Sequence, residues 1–180
     1  MKKQAFFFID DVIWVFRDLT RQRPSSLFDN PFLNVLKTAH DKFGMKTQLN
    51  AFYRTDYFYG DDEFTLADMT DAYHNEWEAA SKWLKIGFHA KQEFPDYPHI
   101  NASYKDVKDV FTRIQKEVFP FASPKNFAYS VVPHWMPISK DGCHALKDCG
   151  VKLLAVSVGD TREYDGDPSC LPYGLSLIHI

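Results

Sequence analysis

The stretch FFFIDDVIWVF, residues 6–16, combines strand-forming residues with two adjacent carboxylates, Asp10 and Asp11. A continuous run of Phe, Ile and Val is typical of a strand buried on both faces, so we predict a strand over residues 5–12. Burying a carboxylate is costly unless a partner or a metal ion compensates its charge. The adjacent pair therefore indicates that something near this strand attracts negative charge.

Strand-like and helical segments alternate along the rest of the chain. The other strand patterns cover residues 46–53, 84–89, 126–132 and 151–158. Helical patterns cover residues 31–43, about 65–83, 103–118 and 139–149, and the segment between the first strand and the first of these helices is predicted as a loop. This alternation predicts one α/β domain with a parallel sheet and right-handed crossovers, either open or closed into a barrel.

Length and composition limit the class of protein. The 180 residues, 45% hydrophobic and 25% charged, suit one soluble domain, and a net charge of -3 without a basic face argues against nucleic-acid binding. No apolar run approaches the about 18 residues of a membrane span. Cys143, Cys149 and Cys170 form neither a metal knuckle nor an even disulfide set. We therefore expect a cytoplasmic protein with no nucleic-acid or membrane partner, and no pattern indicates an oligomeric state.

The last six residues, LSLIHI at positions 175–180, resemble the translation of an adapter used in preparing DNA sequencing libraries. No turn or cap closes the segment, and the sequence before it stops within a motif. We therefore predict that residues 1–174 are a partial domain and that residues 175–180 are a non-native tail. The alternative is a genuine strand.

Chargeable or metal-binding side chains follow the predicted strands at their C-terminal ends. In chain order they are Asp10 and Asp11, then Asn50, Tyr53 and Arg54, then His89 and Glu93, then His134 and Trp135, and last Ser157 and Asp160. Because the C-terminal ends of parallel strands meet at one rim, we expect these groups to converge. Asp and His ligands suit zinc or a similar divalent ion, and a second carboxylate can act as general base. The pattern favours metal-assisted hydrolysis.

Adjacent aspartates can serve one site only where the strand is irregular. Successive side chains of a regular strand point to opposite faces of the sheet. We therefore expect a bend or a strand end at Asp10 and Asp11, because an unbroken strand would turn one carboxylate away from the site.

Two short motifs give the chain a resemblance to the polysaccharide deacetylase family of carbohydrate esterases. FIDDV, residues 8–12, is similar to the family's T-F-D-D-G strand end, and HAKQE, residues 89–93, is similar to its H-[ST]-x-x-H motif. Val12, Ala90 and Glu93 differ from the family residues at their positions, and the family's R-x-P-[YW] motif is not found.

The resemblance implies a fold, a cofactor and residue roles. The implied fold is the family's distorted parallel (β/α) barrel, cut off here after about five strands. Asp10 would be the general base, and Asp11, His89 and Glu93 would bind the metal, with Glu93 at the position of the family's second histidine. His134 would complete the metal site or contact the substrate. The implied cofactor is a divalent ion, zinc before others, and the implied reaction removes an N- or O-acetyl group from a carbohydrate.

Four residues are candidates for binding the carbohydrate: Tyr53, Arg54, Tyr59 and Trp135. The alternative for the aromatic ones is that they pin loops onto the domain. Two other functions stay open. A metal-independent glycoside hydrolase would use two carboxylates such as Asp10 and Glu93. A non-catalytic barrel with a degenerate site would bind carbohydrate without hydrolysing it.

Overall fold

The structure, a computed structural model, describes residues 7–56, 63–157 and 175–178. The strands are β1 (Phe8–Val12), β2 (Thr47–Phe52), β3 (Leu84–Ala90), β4 (Ser130–Val131), β5 (Leu153–Ser157) and β6 (Leu175–Ile178). The helices are α1 (Trp14–Gln22), α2 (Pro31–Phe43), α3 (His74–Ala80), α4 (Tyr104–Phe121) and α5 (Lys140–Asp148). Short 3-10 turns cover Leu27–Asp29, Leu66–Asp68 and Pro124–Asn126.

The strands form two small sheets. β1, β2 and β3 are parallel neighbours in that order. β4 is parallel to β5 in the second sheet, and β6 is antiparallel to β5. An isolated parallel bridge between Ile86 and Phe127 connects the two sheets near the start of β4.

The predicted (β/α) barrel, cut off after five strands, is therefore wrong. Among the described residues the parallel parts of the two sheets hold three and two strands, and no pairing closes the outer edge of β1. β4 has only two residues, because the chain before it forms a turn in which Asn126 Nδ2 donates to the carbonyls of Trp77 and Leu84, at 2.7 and 3.2 Å. A strand of two residues can form only a few hydrogen bonds with β3, too few for the continuous sheet of a barrel.

The segment predicted to be a non-native tail pairs with the second sheet. The β6 pairs run from Leu175 opposite Ser157 to Ile178 opposite Leu154. Pairing does not distinguish a native strand from a tail, so the domain limits of 1–174 and 175–180 stay predictions.

The prediction for α2 is confirmed at both ends. Asn30 Oδ1 accepts hydrogen bonds from the backbone N–H groups of Phe32 and Leu33, at 3.1 and 3.2 Å, and Pro31 opens the first turn. Gly44 ends the helix with φ at 68°, a conformation that glycine adopts without strain.

Two other predictions about helices are wrong. The segment after β1 is α1 rather than a loop, because Val15, Phe16 and Leu19 bury one face at helical spacing. The predicted helix over residues 65–83 is divided into a 3-10 turn and α3, because the Thr70 N–H donates to Thr20 Oγ1 of α1, at 3.2 Å. Among the helices of the described residues, none is both long and apolar enough to cross a membrane.

The hydrophobic core lies between the first sheet and its helices. The rings of Phe16, Trp77 and Phe121 contact one another with centroids 5.6 to 6.2 Å apart, and Phe88 of β3 packs on Phe111 of α4 at 5.6 Å. Because side chains alternate along a strand, the residue after Phe88 points to the opposite face of β3. That opposite face carries the candidate site.

Candidate metal centre

β1 is irregular at its pair of aspartates. The register of β1 on β2 shifts between Ile9 and Val12, and Asp11 has φ at 60°, which is uncommon for a residue other than glycine. Asp11 Oδ1 consequently lies 3.0 Å from His89 Nε2, and Asp10 Oδ1 lies 3.9 Å from His89 Nδ1. The break expected from the sequence is therefore present, and both carboxylates approach the same imidazole.

His89 occupies an irregular position of β3. Ala51 pairs with Phe88 and Phe52 pairs with Ala90, so His89 is the extra residue of a bulge. Its Nδ1–H donates to the Val132 carbonyl at 2.6 Å, and the side chain is buried. The His89 carbonyl in turn accepts a hydrogen bond from His99 Nε2 at 2.9 Å. Both the ring and the backbone of His89 are thus held in place.

His134 reaches the same place from the loop that follows β4. Its Nε2–H donates to the Glu93 carbonyl at 2.9 Å, and its backbone N–H donates to the His89 carbonyl at 3.3 Å. The Phe52 ring packs against both imidazoles, with centroids 4.9 Å from His134 and 5.3 Å from His89. His134 is therefore buried and oriented by backbone carbonyls and an aromatic wall.

Asp11, His89 and His134 form what we call the metal cluster. Asp11 Oδ1 lies 3.0 Å from His89 Nε2 and 3.2 Å from His134 Nδ1, and the two nitrogens are 3.1 Å apart. Because backbone carbonyls only accept hydrogen bonds, the outward nitrogens carry the hydrogens and the inward nitrogens present lone pairs in the neutral rings. Ligands at about 2.0 to 2.1 Å from a tetrahedral zinc ion lie about 3.3 Å apart. The cluster therefore fits one ion of that size.

The electrostatics of the site favour a cation. Hydrogen bonds from His134 and His89, when these rings are protonated, hold the pKa of Asp11 well below its usual range. Burial, and then the charge of Asp11, raises the pKa of the Glu93 carboxyl. Asp11 thus keeps its negative charge at the point where two imidazole nitrogens converge, which suits either a proton or a metal ion.

Glu93 and Trp135 lie beside the metal cluster. The Glu93 carboxylate is outside the cluster, with Oε1 3.7 Å from His134 Nε2, the nitrogen that faces away from Asp11. The observed contribution of Glu93 is its backbone carbonyl, which holds the His134 ring. Trp135 is 45% exposed, and its ring centroid lies 5.7 Å from that of His134 and 5.1 Å from that of Tyr97.

Two of the remaining predicted substrate residues, Tyr53 and Arg54, contact groups outside the metal cluster. The Tyr53 ring lies under the Arg113 guanidinium of α4, at 5.3 Å, and Arg54 pairs with Glu63 at 3.4 Å. Neither contact involves the metal cluster. Tyr59 lies outside the described residues.

Near Asp10, the sequence places Asn50 at the expected rim without a specific role, and it predicts no part in the site for Gln48 or Gly87. Asn50 Nδ2 donates to Asp10 Oδ1 at 2.7 Å, Gln48 contacts Asn50, and Gly87 leaves the space that Gln48 occupies. A signal for them exists in the sequence. Polar residues at positions 48 and 50 alternate within an otherwise apolar strand, and a glycine stands two residues before His89.

A pocket of about 470 Å³ adjoins the two aspartates on the outer side of β1. Its wall includes Asp10 and Asp11 together with Trp14, Asp18 and Phe32. It gives a ligand room beside the carboxylates, with Trp14 and Phe32 among the lining residues.

Comparison with known proteins adds no relative. No protein-family model matches the chain, and neither a curated protein nor a solved structure matches it. The functional conclusion therefore depends on the geometry of the metal cluster and its surroundings.

Proposed function

We propose that the protein is a metal-dependent hydrolase that removes an N- or O-acetyl group from a carbohydrate, with the metal cluster as its ion site and Asp10 as general base. The observation that carries this proposal is the convergence of three ligand atoms within 3.0 to 3.2 Å of one another. Carbonyl partners fix both imidazoles so that their lone pairs face Asp11. Packing alone gives no reason for such an arrangement.

The donor set fits zinc. Two imidazole nitrogens and one carboxylate are a ligand set used by zinc hydrolases, which keep a further position open for water. With His134 rather than Glu93 in the cluster, the set is richer in nitrogen, which favours a borderline ion over a hard one such as magnesium. When bound, the ion would supply Lewis acidity and lower the pKa of water.

Asp10 has the surroundings that a general base needs. Asn50 Nδ2 donates to its Oδ1 at 2.7 Å, and its side chain is 35% exposed and so open to water. Asp10 takes a proton from the attacking water as the new bond to the acetyl carbon forms. The tetrahedral adduct then collapses, the bond to the sugar nitrogen or oxygen breaks, and the proton passes from Asp10 to that leaving atom. Acetate and the deacetylated sugar are the products.

Two features support a carbohydrate as substrate. The exposed Trp135 ring stands next to His134, and both Trp135 and Met136 have positive φ, at 61° and 78°. Residues held in such sparsely populated conformations cluster at functional sites. The pocket beside Asp10 and Asp11 offers a second surface with aromatic rings.

Acetate release from acetylated sugar oligomers tests this function. We expect release by the zinc-loaded protein, loss of release with a chelator, and recovery on addition of zinc. Asp10→Asn should lower kcat by about 100-fold or more. Asp41→Asn is a suitable control because Asp41 is exposed on α2, where it pairs with Lys37 at 2.6 Å, and it should leave kcat unchanged.

Two outcomes would contradict the proposed function. Chelator-resistant cleavage of glycosidic bonds that requires Asp10 and Glu93 would identify a metal-independent glycoside hydrolase. Carbohydrate binding with neither acetate release nor bond cleavage would identify a non-catalytic binding protein.

A further inference from the structure

A chain of hydrogen-bonded side chains begins at Asp10 of β1 and runs through two side chains of β2 to Ser130 of β4. Asn50 Nδ2 donates to Asp10 Oδ1 at 2.7 Å, and Gln48 Nε2 donates to Asn50 Oδ1 at 2.6 Å. Gln48 Nε2 also donates to the Ser130 carbonyl at 2.8 Å, and Ser130 Oγ donates to Gln48 Oε1. We call Asn50, Gln48 and Ser130 the amide chain.

The direction of the amide chain is determined at both of its ends. The Asp10 carboxylate, when ionised, and the Ser130 backbone carbonyl only accept hydrogen bonds. The amide nitrogen of Asn50 must therefore face Asp10, which leaves the Asn50 oxygen to accept from Gln48. The Ser130 hydroxyl, one N–H of Gln48 and the Asn50 amide then donate in series toward Asp10, and the other N–H of Gln48 donates back to the Ser130 carbonyl. Hydrogen bonds aligned in series strengthen one another.

Gly87 leaves the space through which the amide chain passes from β2 to β4. Gln48 belongs to β2 and Ser130 to β4, with β3 between them. A Cβ atom on Gly87 would lie 2.5 Å from Gln48 Nε2 and 3.0 Å from Asn50 Oδ1, closer than such contacts allow. The Gln48 side chain thus crosses β3 at the position of the glycine.

The burial of these amides needs a reason other than packing. Asn50 is 0% and Gln48 is 3% exposed, and every residue of β2 is buried. Apolar side chains would fill this space without the cost of dehydrating polar groups. Neither amide bonds to Asp11, His89 or His134, and the chain ends on Asp10, a carboxylate that is not in the metal cluster.

We propose that the amide chain is a positioning device for Asp10, in which Asn50 holds Oδ1 so that the other carboxylate oxygen faces the reacting water. Gln48 and Ser130 act through Asn50 by preventing its amide from rotating. The chain also joins β1, β2 and β4, the strands that lead to Asp10, Asn50 and His134. Because Asp10 is the base of the proposed hydrolysis, this role for Asn50 rests on the proposed function.

A nuclear magnetic resonance comparison tests the chain without any turnover. The side-chain amide signals of Asn50 and Gln48 are assigned by their loss in Asn50→Ser and Gln48→Met. In zinc-loaded Asp10→Ala we expect both amide signals to shift, the Asn50 signal more, and both to exchange faster with water. Amide signals that stay in place in Asp10→Ala would overturn the proposed chain.

Kinetics on the acetylated sugar oligomers test the positioning role. Asn50→Ser should lower kcat by about 10- to 100-fold while KM and zinc affinity stay close to wild type. Asn126→Ser is a matched control, because Asn126 is equally buried and its side-chain amide donates to the carbonyls of Trp77 and Leu84, which are not part of the amide chain. It should lower the melting temperature and leave kcat unchanged.

The two proposals fail in distinguishable ways. Equal kcat in wild type and Asn50→Ser overturns the positioning role, as does an equal loss of kcat in Asn126→Ser. A wild-type protein that hydrolyses none of the oligomers overturns the proposed function, and the role of Asn50 as a positioning residue with it. The amide signals still decide whether the hydrogen-bonded chain exists.

Discussion

The Nε2 atom of His89 and the Nδ1 atom of His134 lie 3.1 Å apart, each with its other ring nitrogen bonded to a backbone carbonyl. Two lone pairs held this close to each other and to the Asp11 carboxylate need a cation among them, either a proton or a metal ion. The backbone of the loops that follow β3 and β4 therefore organises the site before any ion binds. The first two predictions concern the groups that create this arrangement.

His134 should matter far more for zinc binding than Glu93. His134→Ala removes a ligand atom, so zinc affinity should fall by more than about 100-fold, whereas Glu93→Gln keeps the carbonyl that orients His134 and should cost less than about 10-fold. Competition with a chromogenic chelator measures both affinities. A larger loss in Glu93→Gln than in His134→Ala would restore Glu93 as a ligand in place of His134.

Phe52 should stabilise both imidazoles. Its ring is 2% exposed and packs on His89 and His134, so Phe52→Ala should lower the free energy of unfolding by about 3 to 5 kcal/mol. Phe52→Leu leaves a smaller cavity than Phe52→Ala and should lower the free energy of unfolding by less. Urea denaturation gives the stabilities, and zinc affinity should decrease in the same order. Equal zinc affinity in wild type, Phe52→Ala and Phe52→Leu would show that the Phe52 ring does not orient the two histidine ligands.

Gly87→Ala should disturb the amide chain. The added methyl group overlaps the Gln48 amide, which is held at both ends, so we expect a loss of about 1 to 3 kcal/mol in stability. Gly44→Ala is the control, because it strains a positive φ with no atom within 4 Å of the new methyl group. Only Gly87→Ala should shift the side-chain amide signals of Gln48 and Asn50. A shift of equal size in Gly44→Ala would contradict this account.

Sequence patterns predict the local features of this molecule better than they predict whether its strands close into a barrel. The Asn30 cap and the Gly44 terminus determine α2 through neighbouring residues alone, so both of its ends are predictable. The irregularity at Asp10 and Asp11 follows from the alternation of side chains along a regular strand, which would turn one of the two carboxylates away from the site. These features need no knowledge of distant contacts.

The barrel prediction fails because closure depends on contacts between distant segments. The apolar pattern of residues 126–132 suits a strand, yet Asn126 bonds to carbonyls of Trp77 and Leu84 and shortens β4 to two residues. The site shows the same limit. A motif match points to Glu93 as a ligand and leaves the role of His134 open between metal and substrate. The fold brings His134, 45 residues after His89, to Asp11.

The buried His99 should make the protein less stable at acid pH. Burial lowers the pKa of His99 from 6.5 to about 4, and charge on His89 or His134 opposes its protonation further. Between these values the unfolded chain binds a proton that the folded protein excludes. The free energy of unfolding should therefore fall as the pH falls through this window, by about 3 kcal/mol in total.

Urea denaturation of the metal-free protein between about pH 7 and pH 4 measures this loss. The His99→Gln variant is the comparison, because glutamine can still donate to the His89 carbonyl and does not titrate. The variant should lose less stability than wild type across the window. The same dependence on pH in both proteins would show that His99 is not held neutral by the fold.

Zinc titration of the metal-free protein tests the central claim most directly. The account predicts one zinc ion per chain, and loss of that binding in Asp11→Ala, His89→Ala and His134→Ala. Asp11 is half exposed, so its variant should keep the wild-type fold, which circular dichroism can verify. A wild-type protein that binds no divalent ion, or binding that persists unchanged in all three variants, would contradict the account.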